Sequence, residues 1–259
     1  MKRFQGSLAL GLFACAAGYS QNALAVCQFG TSGEPSLQQS FDTLFGAAHS
    51  PNAVNDCLTD GSGPGHDGVW QSTGATSATI LLELAGFADS NNLGIYDPSN
   101  PASQLTVFGG RLGPNSTAQL AFEAVTGGTR ITVSILGSTA APVSTVFTSD
   151  AFGFFLTTPE GNTFFSQSNL NADHADHSYA YRGSNQMFAS GAAYGTLFGA
   201  NDAILAYEDL ANGDRDFQDF VMLVRGVEPI PLPAAAWLFA SGIAVFGARR
   251  RLAAQTDRT

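Results

Sequence analysis

Runs in which every second residue is apolar dominate the middle of the chain. Gln104-Leu105-Thr106-Val107-Phe108, then residues 118–125 and 129–135, alternate with a period of two. That period places one set of side chains on a buried face and the other in water. Residues 78–84 form a short apolar run, and further strand-like segments fall at 152–156, 163–166, 178–182, 203–207 and 220–224. Gly, Pro, Asn or Ser clusters bound them, among them Gly109-Gly110 and Gly127-Gly128. The pattern predicts an all-β domain, an antiparallel β-sandwich of jelly-roll-like kind. Helical periodicity is scarce. Its best stretch is 37–48, with Leu37, Phe41, Leu44 and Phe45 on one face. Gly61-Ser62-Gly63-Pro64-Gly65 reads as a flexible loop between an N-terminal segment and the sheet.

The two ends follow other rules. Lys2 and Arg3 precede an apolar stretch from residue 6 to 18, and Ala23-Leu24-Ala25 offers the small-x-small pattern that a signal peptidase cleaves. Residues 1–25 are therefore expected to be a signal peptide with a helical apolar core. At the other end, Pro229-Ile230-Pro231-Leu232-Pro233 is stiff and extended, because proline fixes φ and disfavours helix in the residue before it. An uncharged run to Ala248 follows, and Arg249, Arg250 and Arg251 close it. As a helix at ~1.5 Å per residue, that run spans roughly 25 Å, slightly short of a bilayer core. Its arginines would hold their flank in the cytoplasm. The expected organisation is a signal peptide (1–25), an N-terminal segment (26–77), a β-sandwich domain (78–227), a transmembrane sorting segment (228–252) and a short tail (253–259).

Charge narrows the setting. Between residues 26 and 229 lie 20 acidic residues against five arginines, with no lysine. Such a surface repels nucleic acid and anionic lipid, which need positive patches, and it suits divalent cations. Once Cys15 leaves with the signal, Cys27 and Cys57 remain. An even pair in an oxidising compartment reads as one disulfide. Closing its loop of ~30 residues contributes roughly 3 to 4 kcal/mol in the chain-entropy model. Cys27 lacks a lipobox context and sits at the wrong position for lipidation.

Tyr207-Glu208-Asp209-Leu210-Ala211-Asn212-Gly213-Asp214-Arg215-Asp216-Phe217-Gln218-Asp219-Phe220 holds the densest chemistry. Glu208, Asp209, Asn212, Asp214, Asp216 and Asp219 all carry side-chain oxygens, the ligands that calcium prefers. The flanks read as strands and the EF-hand spacing is absent, so the expectation is a calcium site in a loop between strands. Tyr207, Phe217 and Phe220 interleave with the acids, which predicts carboxylates packed down and in need of a counter-ion. A second cluster, Asn171-Ala172-Asp173-His174-Ala175-Asp176-His177, contains His-x-x-His, a spacing that can hold zinc. The expectation favoured here is that Asp173 or Asp176 joins the calcium site, or that His177 orients the acidic loop.

Two resemblances rest on these residues. Ile230-Pro231-Leu232-Pro233-Ala234-Ala235-Ala236-Trp237-Leu238-Phe239-Ala240-Ser241-Gly242, with the later Arg249-Arg250-Arg251, resembles the PEP-CTERM sorting signal. Pro231, Pro233, Trp237 and the arginines carry the likeness. It implies a Gram-negative bacterium and an inner-membrane intermediate anchored by the tail. It also implies processing by an exosortase and delivery to the cell surface or an exopolysaccharide matrix. The second runs over roughly 78–226: Leu93-Gly94-Ile95-Tyr96-Asp97, Phe152-Gly153-Phe154-Phe155-Leu156, Tyr207-Glu208-Asp209-Leu210 and Gly213-Asp214-Arg215-Asp216-Phe217-Gln218-Asp219, in that order. Together they resemble the uncharacterised domain often found ahead of PEP-CTERM signals, which ends in (F/W)EDL…GDxDFND. It implies a β-sandwich, with calcium held by Glu208, Asp209, Asp214, Asp216 and Asp219. Gln218 stands where that motif usually has Asn.

No Gly-x-Ser-x-Gly elbow, His-Glu-x-x-His, phosphate loop or dinucleotide fingerprint is present. Glu83 and Glu123 are the only strand-embedded glutamates that suggest a glycosidase pair. The functional expectation is a non-catalytic, calcium-stabilised structural or adhesive module of the surface or extracellular matrix, with no membrane span once an exosortase has removed the tail. The alternatives are a carbohydrate-binding module that stacks sugars on Trp70, Tyr96 or Tyr181, or a secreted glycoside hydrolase.

Overall fold

Ser36 starts the helix because its hydroxyl accepts from the Gln39 amide while the Gln39 side chain accepts from the Ser36 amide, a reciprocal cap. Helix α1 then runs Leu37–Phe45 and stops at Gly46, whose φ of 78° no helical residue adopts. It ends three residues short of the periodic stretch. In a computed structural model, residues 27–30, 34–58, 68–83 and 90–230 of the chain are described. The expected signal peptide, the loop at 61–65 and the sorting motif with Pro231, Pro233, Trp237, Arg249, Arg250 and Arg251 lie outside them. No helix among the described residues is long and apolar enough to cross a membrane.

The rest of the described chain is β-structure. After β1 (Cys57–Leu58) come β2 (Trp70–Glu83), β3 (Asn92–Asp97), β4 (Asn100–Phe108), β5 (Thr117–Val125) and β6 (Gly128–Ile135). Then follow β7 (Val143–Phe147), β8 (Ala151–Thr157), β9 (Thr163–Phe165), β10 (Ser178–Arg182), β11 (Gln186–Met187), β12 (Leu197–Phe198), β13 (Asp202–Tyr207) and β14 (Phe220–Pro229). Every pairing among them is antiparallel. The fold is all-β, as the alternation predicts. The main path runs β1-β10-β13-β14-β2-β5-β6-β7, and β3, β4, β8 and β9 branch from β2.

β2 makes the branch. Its Thr76–Thr79 section pairs with β5, and its first residues, Trp70 and Gln71, pair with β8. Two register shifts against β14 let it bend between those neighbours. The sheet curls around a core built from Trp70, Ile80, Ile95, Phe108, Phe152 and Met222. The boundary expected at residue 78 falls inside this strand, so the domain begins earlier than the apolar run suggests.

β13 and β14 are buried on both faces. Ala203, Leu205, Tyr207, Phe220 and Met222 point into that core, while Ile204, Ala206, Val221 and Leu223 meet Leu37, Phe41, Leu44 and Phe45 of α1 in a second one. This explains why Phe220-Val221-Met222-Leu223-Val224 reads as an unbroken apolar run: both of its faces need apolar side chains. The N-terminal segment is therefore part of the fold. Cys27 and Cys57 form the expected disulfide, with Cα atoms 6.4 Å apart.

Trp70, Tyr96 and Tyr181 are each 0% exposed. Tyr181 donates to the Ala53 carbonyl and Tyr96 to Gln167 Oε1. None of the three, buried as they are, can stack on a sugar ring.

Candidate cation site in the loop between β13 and β14

Tyr207 and Phe220 face each other at the ends of β13 and β14, so residues 208–219 form one connection between neighbouring strands. Arg215 and Phe217 both have φ of 57°, in the left-handed region. They alternate with Asp214, Asp216 and Gln218, and each kink costs on the order of 1–3 kcal/mol. Phe217 offsets this by burying its ring completely, stacked on Tyr179 at 4.1 Å between centroids. Arg215, the nearest cation in sequence, lies with its guanidinium 5.9 Å from the Phe217 ring centre.

The loop folds its acids inward. Glu208, Asp209, Asp216 and Asp219 are at most 5% exposed, whereas Asp214 is exposed. Ligand oxygens of Glu208, Asp209 and Asp219 lie within 4.8 Å of one another, and those of Glu208, Asp214 and Asp216 do the same. The five acids expected in sequence as ligands thus converge as two groups that share Glu208. Gly213 makes the approach possible, since a Cβ there would run into the Glu208 carboxylate.

Burial pushes the Glu208 carboxyl up to about 7, with repulsion from Asp214 and Asp216 adding to it. Burial likewise raises Asp219, to about 9, and repulsion from Asp209, Glu208 and Asp216 adds to that. Asp209 is also raised by burial, against the hydrogen bond it receives from Asn91. Neither carboxylate oxygen of Glu208 accepts a hydrogen bond of full geometry, and the backbone amide of Leu210 only weakly opposes the rise. A buried carboxylate of that kind is costly unless protonated or paired with a cation. Six to eight hard oxygens suit calcium, and the loop supplies carboxylates for most of such a shell.

Three supporting contacts were not legible in sequence. Asn91, just before β3, donates from Nδ2 to Asp209 Oδ2 at 2.9 Å. Gln218 donates from Nε2 to both Asp216 Oδ2 at 2.8 Å and Glu34 Oε2 at 3.1 Å. Its role at the position where the motif usually has Asn is thus to brace Asp216 and tie in the N-terminal segment. Residues 27–30 form a strap over the loop: the Gly30 amide donates to the Arg215 carbonyl at 2.9 Å, and Phe29 packs edge-on to Phe217 and Tyr179. Only the phenylalanine of that strap carries a local signal.

Asp173 and Asp176 do not enter either carboxylate group. Asp173 instead bonds His177 Nε2 at 2.9 Å, and both aspartates line a surface cleft of about 410 Å³ with His177, Glu208, Asn212 and Gly213. His177 touches the loop through its carbonyl, which accepts from the Glu208 amide at 3.0 Å. His174 is exposed with φ of 56° and belongs to no group that could hold a metal, which counts against zinc at His-x-x-His. Of the glycosidase pair, Glu123 is exposed and bonded to Arg130 at 2.7 Å; the Glu83 side chain lies outside the described residues.

No curated protein and no solved structure matches the chain. Residues 125–227, from the end of β5 through the acidic loop into β14, match the family described as a domain of unknown function, DUF4114.

Proposed function

We propose that the chain is an exported structural or adhesive protein of the cell surface or an extracellular, exopolysaccharide-associated matrix, a β-sandwich module whose acidic loop binds calcium. The observation that carries the calcium reading is Glu208, 1% exposed with neither carboxylate oxygen accepting a hydrogen bond of full geometry, at the point where the other four acids converge. The disulfide between Cys27 and Cys57 supports an oxidising, extracytoplasmic destination. The charge balance of the mature segment supports a surface that seeks divalent cations rather than nucleic acid. In this reading signal peptidase and an exosortase process the ends, the tail anchors the chain in the inner membrane for a time, and the module itself has no catalytic role.

Scanning calorimetry with EDTA and then with calcium tests the reading. Calcium at about a hundred times its Kd contributes roughly 2.7 kcal/mol, which raises Tm by roughly 5–10 °C in a domain of this size. Glu208→Gln should abolish that gain. An unchanged Tm in the wild type, with no heat of calcium binding, overturns the proposal.

A further inference from the structure

The two carboxylate groups have one member in common. Glu208 joins Asp209 and Asp219 in a group that is wholly buried, and joins Asp214 and Asp216 in a group with an exposed edge at Asp214. We propose that the loop takes two divalent cations bridged by Glu208, an inner one held with Asp209 and Asp219 and an outer one held with Asp214 and Asp216. This rests on the reading that the loop binds a cation at all.

Glu208 has two acceptor oxygens, both buried and neither accepting a hydrogen bond of full geometry. A single carboxylate can give one oxygen to each of two ions, and a bridging position is one that leaves neither oxygen unsatisfied. Three of the other four acids, Asp209, Asp219 and Asp216, are braced, and by different parts of the chain. Asp209 Oδ2 takes the Asn91 amide and Asp219 Oδ2 takes the Asp209 backbone amide, so the inner group is fixed from the turn before β3 and from the loop ends. Asp216 takes the Gln218 amide on Oδ1 and the Gln218 side chain on Oδ2, and that side chain also holds Glu34. In the outer group Asp216 is thus tied, through Gln218, to the N-terminal segment. Two groups built by different parts of the chain are two sites, not one site with spare ligands.

Charge leads to the same count. Five carboxylates lie within residues 208–219, and Arg215 is drawn to the face of Phe217. One divalent ion leaves three of those five charges uncompensated in a mostly buried cluster, and a second reduces the excess to one. Buried like charges without partners are what proteins avoid. The ions differ in access. Asp214 is exposed and Glu208 forms part of the wall of the surface cleft, so the outer ion keeps water or an outside oxygen donor in its shell. The inner ion is closed off by protein.

The full chain, stripped with EDTA, is titrated with calcium by calorimetry and with terbium by luminescence, with decay rates compared in H2O and D2O to count bound water. Two ions per chain are expected, with two terbium lifetimes that report different hydration. Asp214→Asn, an exposed substitution that leaves the buried group intact, should bind one ion, keep the drier lifetime and retain most of the calcium-induced rise in Tm. Asp216→Asn should give the same single ion. One ion in the wild type, a single lifetime, or loss of all binding in Asp214→Asn overturns the pair while the cation reading stands. No binding of either metal overturns both.

Discussion

The backbone amide of Asp209 donates to Asp219 Oδ2 at 2.9 Å, so the carboxylate at the end of the acidic loop closes onto its beginning. Burial raises both side chains, and raises Glu208 beside them. A carboxyl whose pKa is higher in the folded chain contributes stability that is complete below its unfolded value, near 4, and is lost as pH rises through the folded value. For Glu208 and Asp219 that window extends from about 4 to about 7 and about 9. In EDTA, Tm should therefore fall as pH rises from 5 to 9.5. Calcium replaces the lost protons in the proposed site, so its effect on Tm should grow across the same range. A flat Tm profile in EDTA would contradict the burial of these charges.

Gly213 leaves room for the Glu208 carboxylate. Gly213→Ala adds one methyl group where that carboxylate lies, and overpacking of this kind costs roughly 1–3 kcal/mol. The variant should melt lower and bind calcium more weakly, read by calorimetry and titration on the same sample. If it lost stability but kept full calcium affinity, Glu208 would not be a ligand.

Asp97 supplies an independent check far from the loop. Its carboxylate is 1% exposed and accepts from the Thr148 amide at 2.6 Å, the Thr148 hydroxyl at 3.1 Å and the Ser99 amide at 2.9 Å. Burial works to raise its pKa, but these hydrogen bonds outweigh burial and hold it below the ordinary value. A depressed carboxyl contributes stability above its unfolded pKa and loses it as pH falls through the folded one. Asp97→Asn should cost about 1–3 kcal/mol at neutral pH, and its deficit should shrink below about pH 4. Urea melts at pH 7 and pH 3 measure the difference.

The disulfide fastens the strap that crosses the acidic loop, since Cys27 is followed directly by Gln28, Phe29 and Gly30. The double variant Cys27→Ser/Cys57→Ser frees a loop of about 30 residues, worth roughly 3 to 4 kcal/mol. Its Tm should drop by about 10 °C. Calcium affinity should fall as well, because Gly30 and Glu34 lose their anchorage near Arg215 and Gln218. Equal melting of the variant and the wild type would show that the strap holds without its bond.

Much of this was written locally in the chain. The alternation places β5 and β6 within one residue and finds the second half of β4, missing its first four residues, and the acid-rich run contains the five carboxylates that converge. What escaped was non-local or polar. The first half of β2 reads Gln71-Ser72-Thr73-Gly74-Ala75-Thr76, with no apolar alternation to mark it, yet it is held by pairing to β14 and β8. β7 pairs only with β6 at the end of the sheet path, and its Val143 and Val146 stay exposed while Phe147 alone reaches the core, so no alternation marks it. Asn91 meets Asp209 across 118 positions, and Gln218 meets Glu34 across 184, distances at which no local pattern speaks. Asp173 and His177 show the opposite failure: near in sequence to one another and lining the same cleft as Glu208, they bond each other and stay out of both carboxylate groups.

The place of β2 between β14 and β5 sets a kinetic condition on the whole molecule. Synthesis delivers β2 early and β14 last, yet Glu83 must pair with Phe220 and Trp70 with Pro229. Until then the emerging chain carries an unpaired edge on its longest strand, with α1 lacking the far face of its core. Such an edge invites pairing with a second copy. A chain cut short of residue 220 should aggregate rather than fold, because β14, the last of the described strands, is the one that joins β13 to β2.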